Sequence, residues 1–117
     1  MKILAIETST DICSICYSEN NRIIDSINKK VENNHSKYLA PLVNKIIINN
    51  KINLSKTDYF ALSIGPGSYS GLKVGSSFLK GLAFSQDKPI IPINTIEALN
   101  YTIRDTSKYS IAIYSHR

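Results

Sequence analysis

The chain has 117 residues, of which 43% are hydrophobic and 20% charged, and its formal net charge is +5 at pH 7. These values are typical of one soluble domain, or part of one, with a modest core. No apolar run approaches the ~20 residues of a membrane helix, and this excludes a membrane-spanning protein. The lysines are scattered, which indicates a solvated surface rather than a nucleic-acid-binding stripe. No signal peptide precedes Glu7, so we expect a cytoplasmic location.

The first third of the chain predicts three strands joined by hairpins, over residues 2–6, 12–17 and 22–27. Cys13 and Cys16 form a Cys-x-x-Cys pair inside the second strand. No second pair and no suitably spaced histidine completes a zinc site, so we interpret both as reduced strand residues.

A helix follows the polar residues 29–34, with Ser36 as its expected N-cap. One apolar face recurs at helical spacing and comprises Leu39, Leu42, Val43, Ile46 and Ile47. Pro41 falls early in this helix, so the first turn must bend or the regular helix must begin near the proline.

Residues 59–64 predict a buried strand, and residues 71–86 predict a second helix that is apolar on nearly every side. Its apolar residues are Leu72, Val74, Phe78, Leu79, Leu82, Ala83 and Phe84. Such a helix is expected to be buried on more than one face. A short strand over 89–93, a third helix capped by Thr95 and running to about 103, and a last strand over 110–114 complete the prediction.

Between the strand and the second helix lies a loop rich in glycine, Gly65-Pro-Gly-Ser-Tyr-Ser-Gly71. A strand, a glycine loop and a helix N-terminus form the usual geometry of an anion cradle. The loop is nevertheless not a Walker A sequence, because Leu72 separates Gly71 from Lys73. It is not a dinucleotide loop either, because Ser70 stands where the third glycine is required.

The predicted order β-β-β-α-β-α-β is that of an α/β, ribonuclease-H-like lobe with helices packed on a mixed sheet. Such lobes commonly occur in tandem with a ligand between them. We predict one lobe over residues 1–108 and the first strand of a truncated second lobe over 109–117.

Three segments together resemble the bacterial TsaB (YeaZ) family. They are residues 1–10, the His35-Ser36 pair leading into Leu39-Ala-Pro41, and residues 64–75. The resemblance extends to about residue 114. It implies an accessory subunit of the machinery that makes N6-threonylcarbamoyladenosine at position 37 of tRNA. The family usually carries Asp-Ala-Arg where this chain has Ser115-His116-Arg117, and about half of a typical member is absent.

In the wider kinase and ATPase superfamily, a carboxylate after the first strand organises Mg²⁺ and phosphate. The resemblance therefore marks a vestigial nucleotide site, comprising Glu7, Thr8, Ser9, Gly65, Gly67, Ser68 and Gly71. The alternative interpretation, which we favour, is a polar strand end capped by its own turn.

The resemblance also implies that metal and ATP belong to partner subunits. The catalytic paralogue (TsaD) holds a metal with paired histidines on a helix, but His35 and His116 are the only histidines of this chain. We therefore expect no metal, no cofactor and no catalytic residue here. A peptidase is excluded on the same chemistry, since no Ser-His-Asp set is available. His35 is expected to be a helix-entry residue.

Small residues on the second helix favour a partner. Gly71 and Gly75 are four apart, as are Ser77, Gly81 and Ser85, and such residues let a neighbouring backbone approach closely. The resemblance implies that the two helices contact the transferase paralogue, with a homodimer through the same surface as an alternative. The interface residues would be Leu39, Leu42, Val43, Ile46, Leu72, Gly75, Phe78, Leu79 and Leu82, and part of each helix's set must face the core.

Two functions follow. The first is a non-catalytic scaffold for the transferase subunit, with a TsaE-like ATPase acting through the complex and tRNA contacted only indirectly. The second is the N-terminal lobe of a nucleotide-using kinase or ATPase, with Glu7 on Mg²⁺. The sequence favours the scaffold.

Overall fold

A computed structural model describes residues 1–101 of the chain. The predicted last strand over 110–114 and the predicted second-lobe segment over 109–117 lie outside the described residues. Among residues 1–101, no helix is long and apolar enough to cross a membrane.

Within residues 1–101, five strands form one mixed sheet in the order β3-β2-β1-β4-β5. Their bounds are Lys2–Glu7 (β1), Ile12–Glu19 (β2), Arg22–Lys30 (β3), Tyr59–Ser63 (β4) and Ile90–Ile93 (β5). The first three strands pair antiparallel as hairpins, whereas β4 pairs parallel to β1 and β5 pairs parallel to β4. The predicted element order and mixed sheet are therefore confirmed.

In the described part of the chain, three α-helices accompany the sheet: α1 (His35–Asn49), α2 (Tyr69–Gln86) and α3 (Thr95–Asn100). Alternate residues of β1 and β2 are buried on one face of the sheet, as the period of two along a strand requires, whereas the last four residues of β4 are all buried. The core joins these residues to the inner faces of α1 and α2. It includes Leu4, Ile6, Ile15 and Phe60 from the strands, with Leu39, Val43, Ile46 and Leu79 from the helices.

The start of α1 corrects two predictions. The helix begins at His35 rather than after a Ser36 cap, and Asn34 occupies the cap position without a side-chain cap hydrogen bond. The buried His35 ring lies 2.8 Å, measured from Nε2, from the Thr10 carbonyl oxygen, which fixes the chain at this point. The helix does not begin near Pro41 but continues through it. Proline removes a single N–H donor, and Pro41 lies on the exposed side, where water can satisfy the freed carbonyl.

Two further helix ends differ from the prediction. Helix α2 begins at Tyr69, because Ser68 is the N-cap and its hydroxyl accepts a hydrogen bond from the Gly71 N–H at 3.3 Å. Helix α3 is capped by Asn94, whose side chain accepts from the N–H groups of the next turn. The predicted cap, Thr95, is instead engaged with the glycine loop, since its hydroxyl accepts from the Gly65 N–H at 3.2 Å.

Candidate functional site

The predicted site residues meet at the edge of the sheet where β1 and β4 end. Because these two strands are parallel, the segments that follow them lie side by side. The Ser68 N–H donates a hydrogen bond to the Ser9 carbonyl at 2.7 Å. The turn after β1 and the glycine loop after β4 are thus joined directly.

Both carboxylate oxygens of Glu7 are engaged within the chain. Oε1 accepts a hydrogen bond from the Ser9 N–H at 2.6 Å, and Oε2 accepts one from the Ser63 hydroxyl. Glu7 therefore ties the end of β1 to the end of β4. This geometry supports the interpretation of a strand end capped by its own turn.

Removal of the Glu7 carboxylate should destabilise the fold. We expect Glu7→Ala to lower the free energy of unfolding by about 2 kcal/mol, since a hydrogen bond to a charged group contributes about 1.5–3 kcal/mol. Urea denaturation measures this change. Asp11→Ala, which removes an exposed carboxylate from the same turn, is the matched control. Equal stability of the two variants would contradict a structural role for Glu7.

Three glycines of the loop and of α2 lie against residues 8 and 9. A Cβ on Gly67 would lie 2.5 Å from the Ser9 carbonyl oxygen, and one on Gly71 would lie 2.2 Å from the Thr8 carbonyl oxygen. A Cβ on Gly75 would lie 2.3 Å from Thr8 Oγ1. The chain's own turn therefore occupies the space that side chains at these three positions would need. This close approach accounts for the glycines without a ligand.

The hydroxyls of Thr8 and Ser9 are fully buried, and no hydrogen-bond partner for Thr8 Oγ1 or Ser9 Oγ is present within the described residues. Thr8 Oγ1 lies against α2 at Gly75, inside the molecule. His35 is buried beside them, with its ring Cε1 3.2 Å from the position of a Cβ on Gly71. These side chains pack the turn against the two helices, and His35 is the helix-entry residue that the sequence predicted.

Cys13 and Cys16 lie in β2, as predicted, and both are free thiols. They are three residues apart, so they occupy opposite faces of the sheet, about 10 Å from each other along a strand that rises about 3.3 Å per residue. Burial raises the pKa of the Cys13 thiol. Burial, and then the negative charge of Asp25, raises the pKa of the Cys16 thiol. A bridge between them is excluded, because disulfides need Cα atoms within about 7 Å.

Both thiols should react slowly in the folded chain. A raised pKa means that a smaller fraction is thiolate at a given pH, and the thiolate is the nucleophile. Near neutral pH we expect iodoacetamide to modify both cysteines more slowly in buffer than in urea, with the fully buried Cys13 the slower of the two. Mass spectrometry of the alkylated chain gives both rates. Fast labelling of folded Cys13 would contradict this expectation.

The predicted interface residues separate into two groups. Five are buried in this chain's own core or against its own turn: Leu39, Val43, Ile46, Gly75 and Leu79. The other four are half-buried: Leu42, Leu72, Phe78 and Leu82. Of the half-buried residues, Leu42, Phe78 and Leu82 also pack against the core. Most of the predicted set therefore faces this chain's own interior, and the interface itself stays a prediction.

The sequence missed three large exposed side chains of α1 and α2, which are Ile48, Tyr69 and Phe84. Phe84 was counted among the residues that bury α2, but it is 90% exposed, and Ile48 of α1 is 64% exposed. At 100° per residue, position 84 lies opposite the buried Gly75 and Leu79 on the helix circumference. The angular position of residue 84 on the helix, rather than the number of apolar residues, could have predicted that Phe84 is exposed.

An apolar groove of about 300 Å³ lies on the other face of the sheet, beneath α3. Its lining includes Ala5, Cys16, Ala61, Ala98 and Leu99. Glu7 and Ser63 also line it, but they are hydrogen-bonded to each other. Within residues 1–101, no group of three or more His, Cys, Asp or Glu side chains could hold a metal ion.

Comparison with known proteins gives consistent matches. The family model TsaD, tRNA N6-adenosine threonylcarbamoyltransferase, matches residues 10–114. The tRNA threonylcarbamoyladenosine biosynthesis protein TsaB of Haemophilus influenzae is 34% identical over 99 residues, covering 85% of this chain and 42% of that protein. The tRNA N6-adenosine threonylcarbamoyltransferase of Fervidobacterium nodosum is 36% identical over 111 residues, covering 82% of this chain and 33% of that protein.

Among solved structures, YeaZ from Pseudomonas aeruginosa matches with a TM-score of 0.75 and 28% sequence identity. The match covers 80% of this chain and 43% of that one. The chain thus spans less than half the length of each of these relatives.

Proposed function

Because the chain belongs to the TsaB (YeaZ) family and matches the TsaD family model over most of its length, we propose that it serves tRNA threonylcarbamoyladenosine biosynthesis as a non-catalytic subunit. In this role it binds and supports the threonylcarbamoyl transferase subunit that modifies adenosine 37 of tRNA. A TsaE-like ATPase acts through the complex, and tRNA is contacted by the transferase. The cytoplasmic location and the lack of a resident cofactor stay predictions from the sequence.

One observation carries the proposal: two adjacent helices expose large apolar side chains to solvent. We call the exposed residues Pro41, Ile48, Ser77, Gly81 and Phe84 the outer helix surface. Phe84 is 90% and Ile48 64% exposed. A large aromatic side chain that is exposed in the free protein and buried on binding is a frequent anchor of protein contacts.

The backbone of α2 is accessible at the centre of this surface. A Cβ added to Gly81 would meet no atom within 4 Å, and Ser77 and Ser85 are exposed on the same helix. Small residues at this spacing let a second helix pack at short interaxial distance. Gly71 and Gly75 serve a different purpose, because the chain's own turn lies against them.

The site at the strand ends supports a non-catalytic role. Both Glu7 oxygens are hydrogen-bonded within the chain, and residues 8 and 9 fill the space beside the glycines. A nucleotide-using enzyme of this fold would need that carboxylate for Mg²⁺.

The test is co-expression of the chain with the transferase subunit of the same organism, followed by size-exclusion chromatography with light scattering. We expect a stable one-to-one complex. Lys56→Ala, outside both helices, should leave it unchanged. If the chain folds, forms no complex and binds Mg·ATP by itself, the scaffold proposal fails and the kinase or ATPase alternative replaces it.

A further inference from the structure

We call the face of the sheet that lies beneath α3, opposite to α1 and α2, the open face. Directly paired residues of neighbouring strands carry their side chains on the same face, so one row of paired residues can be followed across the five strands. From β3 to β5 this row comprises Ser26, Cys16, Ala5, Ala61 and Ile91. The first four side chains are small, and they line the groove of about 300 Å³. The groove therefore has a low, flat floor.

Helix α3 covers part of the open face. It has six residues and is therefore about 9 Å long, at a rise of 1.5 Å per residue. The sheet is about 19 Å wide from β3 to β5, because neighbouring strands lie about 4.8 Å apart. Parallel strands, such as β1, β4 and β5, normally have both faces covered. Within residues 1–101, the groove is the place where this cover is incomplete.

Apolar surface also continues along the open face beyond the groove. Ser18 lies two residues after Cys16 in β2, so both side chains belong to the open face. Ser18 is paired with Ile3 on one side and with Ile23 on the other. Ile23 is 71% exposed, and Ile3 is half-buried. A segment that covered this face would remove apolar surface from water, which is favourable.

The chain leaves α3 beside the groove and continues for residues 102–117. Ala98 and Leu99, in the last turn of α3, line the groove. An extended chain spans about 3.3 Å per residue, so this segment could reach about 50 Å from the end of α3. That reach exceeds the width of the sheet. Residues 102–117 are therefore long enough to return across the open face.

We propose that residues 102–117 bind back on the open face, with Ile111 and Ile113 seated in the groove. In the sequence these two residues alternate with Ser110 and Ala112, so an extended segment presents both isoleucines to one side. Branched side chains above a floor of small ones fill space as facing layers of a protein core do. The inference goes beyond the proposed function, because the groove and the outer helix surface lie on opposite faces of the sheet.

The covalent connection favours this segment over a separate molecule. A segment tethered beside its binding site has an effective concentration in the millimolar range, which a second copy or another protein does not reach at ordinary concentrations. Stable interfaces between proteins also bury about 800 Å² on each partner. A groove of about 300 Å³ is small for such an interface, but a few side chains can fill it.

Cys16 is a natural reporter of this cover, because its thiol lies in the groove while Cys13 lies in the core on the other face. The test measures iodoacetamide labelling of both cysteines in the whole chain. I111D/I113D should release the segment, and S110D/A112D adds the same charge at the alternate positions. If the segment is bound about 90% of the time, its release speeds the labelling of Cys16 about tenfold. We expect this change in I111D/I113D, with wild-type rates in S110D/A112D and for Cys13 in both variants.

Three outcomes would overturn the inference. Equal labelling of Cys16 in wild type and I111D/I113D would show that the two isoleucines do not cover the groove. Labelling of Cys16 in wild type that slows as the protein concentration rises would assign the groove to a second copy. Labelling that slows only after the transferase subunit is added would assign the groove to that partner.

A cross-link decides the inference if I111D/I113D unfolds, which would speed the labelling of Cys13 as well. I113C is incubated with oxidised glutathione, and its disulfides are mapped by mass spectrometry. A disulfide requires Cα atoms within about 7 Å, so we expect a bond within one chain between Cys16 and the introduced thiol, in higher yield than in S110C. Equal yields in I113C and S110C, or bonds between chains instead, would overturn the inference.

Discussion

Replacing Gly71 by alanine is expected to lower the free energy of unfolding by about 3 kcal/mol, at the upper end of what overpacking costs. The new Cβ would lie 2.2 Å from the Thr8 carbonyl oxygen and 3.2 Å from the His35 ring. The first contact is with backbone, which cannot rotate away as a flexible side chain can. Either the turn after β1 or the start of α2 must therefore move, and with it the hydrogen bond between Ser68 and Ser9.

Gly81→Ala supplies the matched control in the same helix. A Cβ at this exposed position meets nothing within 4 Å, so alanine should raise stability by about 0.5–1 kcal/mol, the usual advantage over glycine inside a helix. Urea unfolding of both variants, followed by circular dichroism, gives the two changes. Stability of G71A at the level of G81A would refute the close packing of the turn against α2.

Removal of the Phe84 ring should weaken the complex without weakening the fold. The side chain is 90% exposed in the free chain, so Phe84→Ala loses little intramolecular contact. If Phe84 anchors the interface, its loss costs about 2 kcal/mol, the usual threshold of a hot spot, or about thirtyfold in dissociation constant. Isothermal titration calorimetry with the transferase subunit measures this loss, and thermal unfolding of the free variant tests the fold.

Tyr101→Ala is the corresponding control for Phe84. Tyr101 is also aromatic and 88% exposed, but it follows α3, whose Ala98 and Leu99 line the groove on the opposite face of the sheet. Its removal should leave the affinity unchanged. A Phe84→Ala variant that binds as tightly as the Tyr101→Ala variant would exclude the outer helix surface as the docking site.

The sequence was sufficient for the order of the elements because that order depends on local patterns. Alternating burial along β1 and β2, and apolar spacing along α1, are visible within short windows. The surroundings of the glycine loop were harder to predict from the sequence. Its position between a strand and a helix was predicted, but what occupies the space beside Gly67 and Gly71 is a turn from the start of the chain. A contact over that separation leaves no local pattern to read.

The predicted ends of the helices were wrong for a related reason. Asn94 and Thr95 are adjacent residues that can both cap a helix, and local sequence does not choose between them. In the structure, the Thr95 hydroxyl accepts a hydrogen bond from the Gly65 N–H, and the Asn94 side chain caps α3. A contact with the glycine loop therefore determines which of the two residues is the cap. At α1, the contact between His35 and the Thr10 carbonyl acted in the same way.

The packing of residues 8 and 9 against Gly67, Gly71 and Gly75 also constrains when the chain can fold during its synthesis. The turn at residues 8 and 9 cannot find its final neighbours until the segment containing α2 has been synthesised, more than about 60 residues later. Contacts of such separation slow folding. The N-terminal hairpins should therefore wait, with Thr8 and Ser9 still hydrated, and completion of α2 should be the event that commits the nascent chain to its native state.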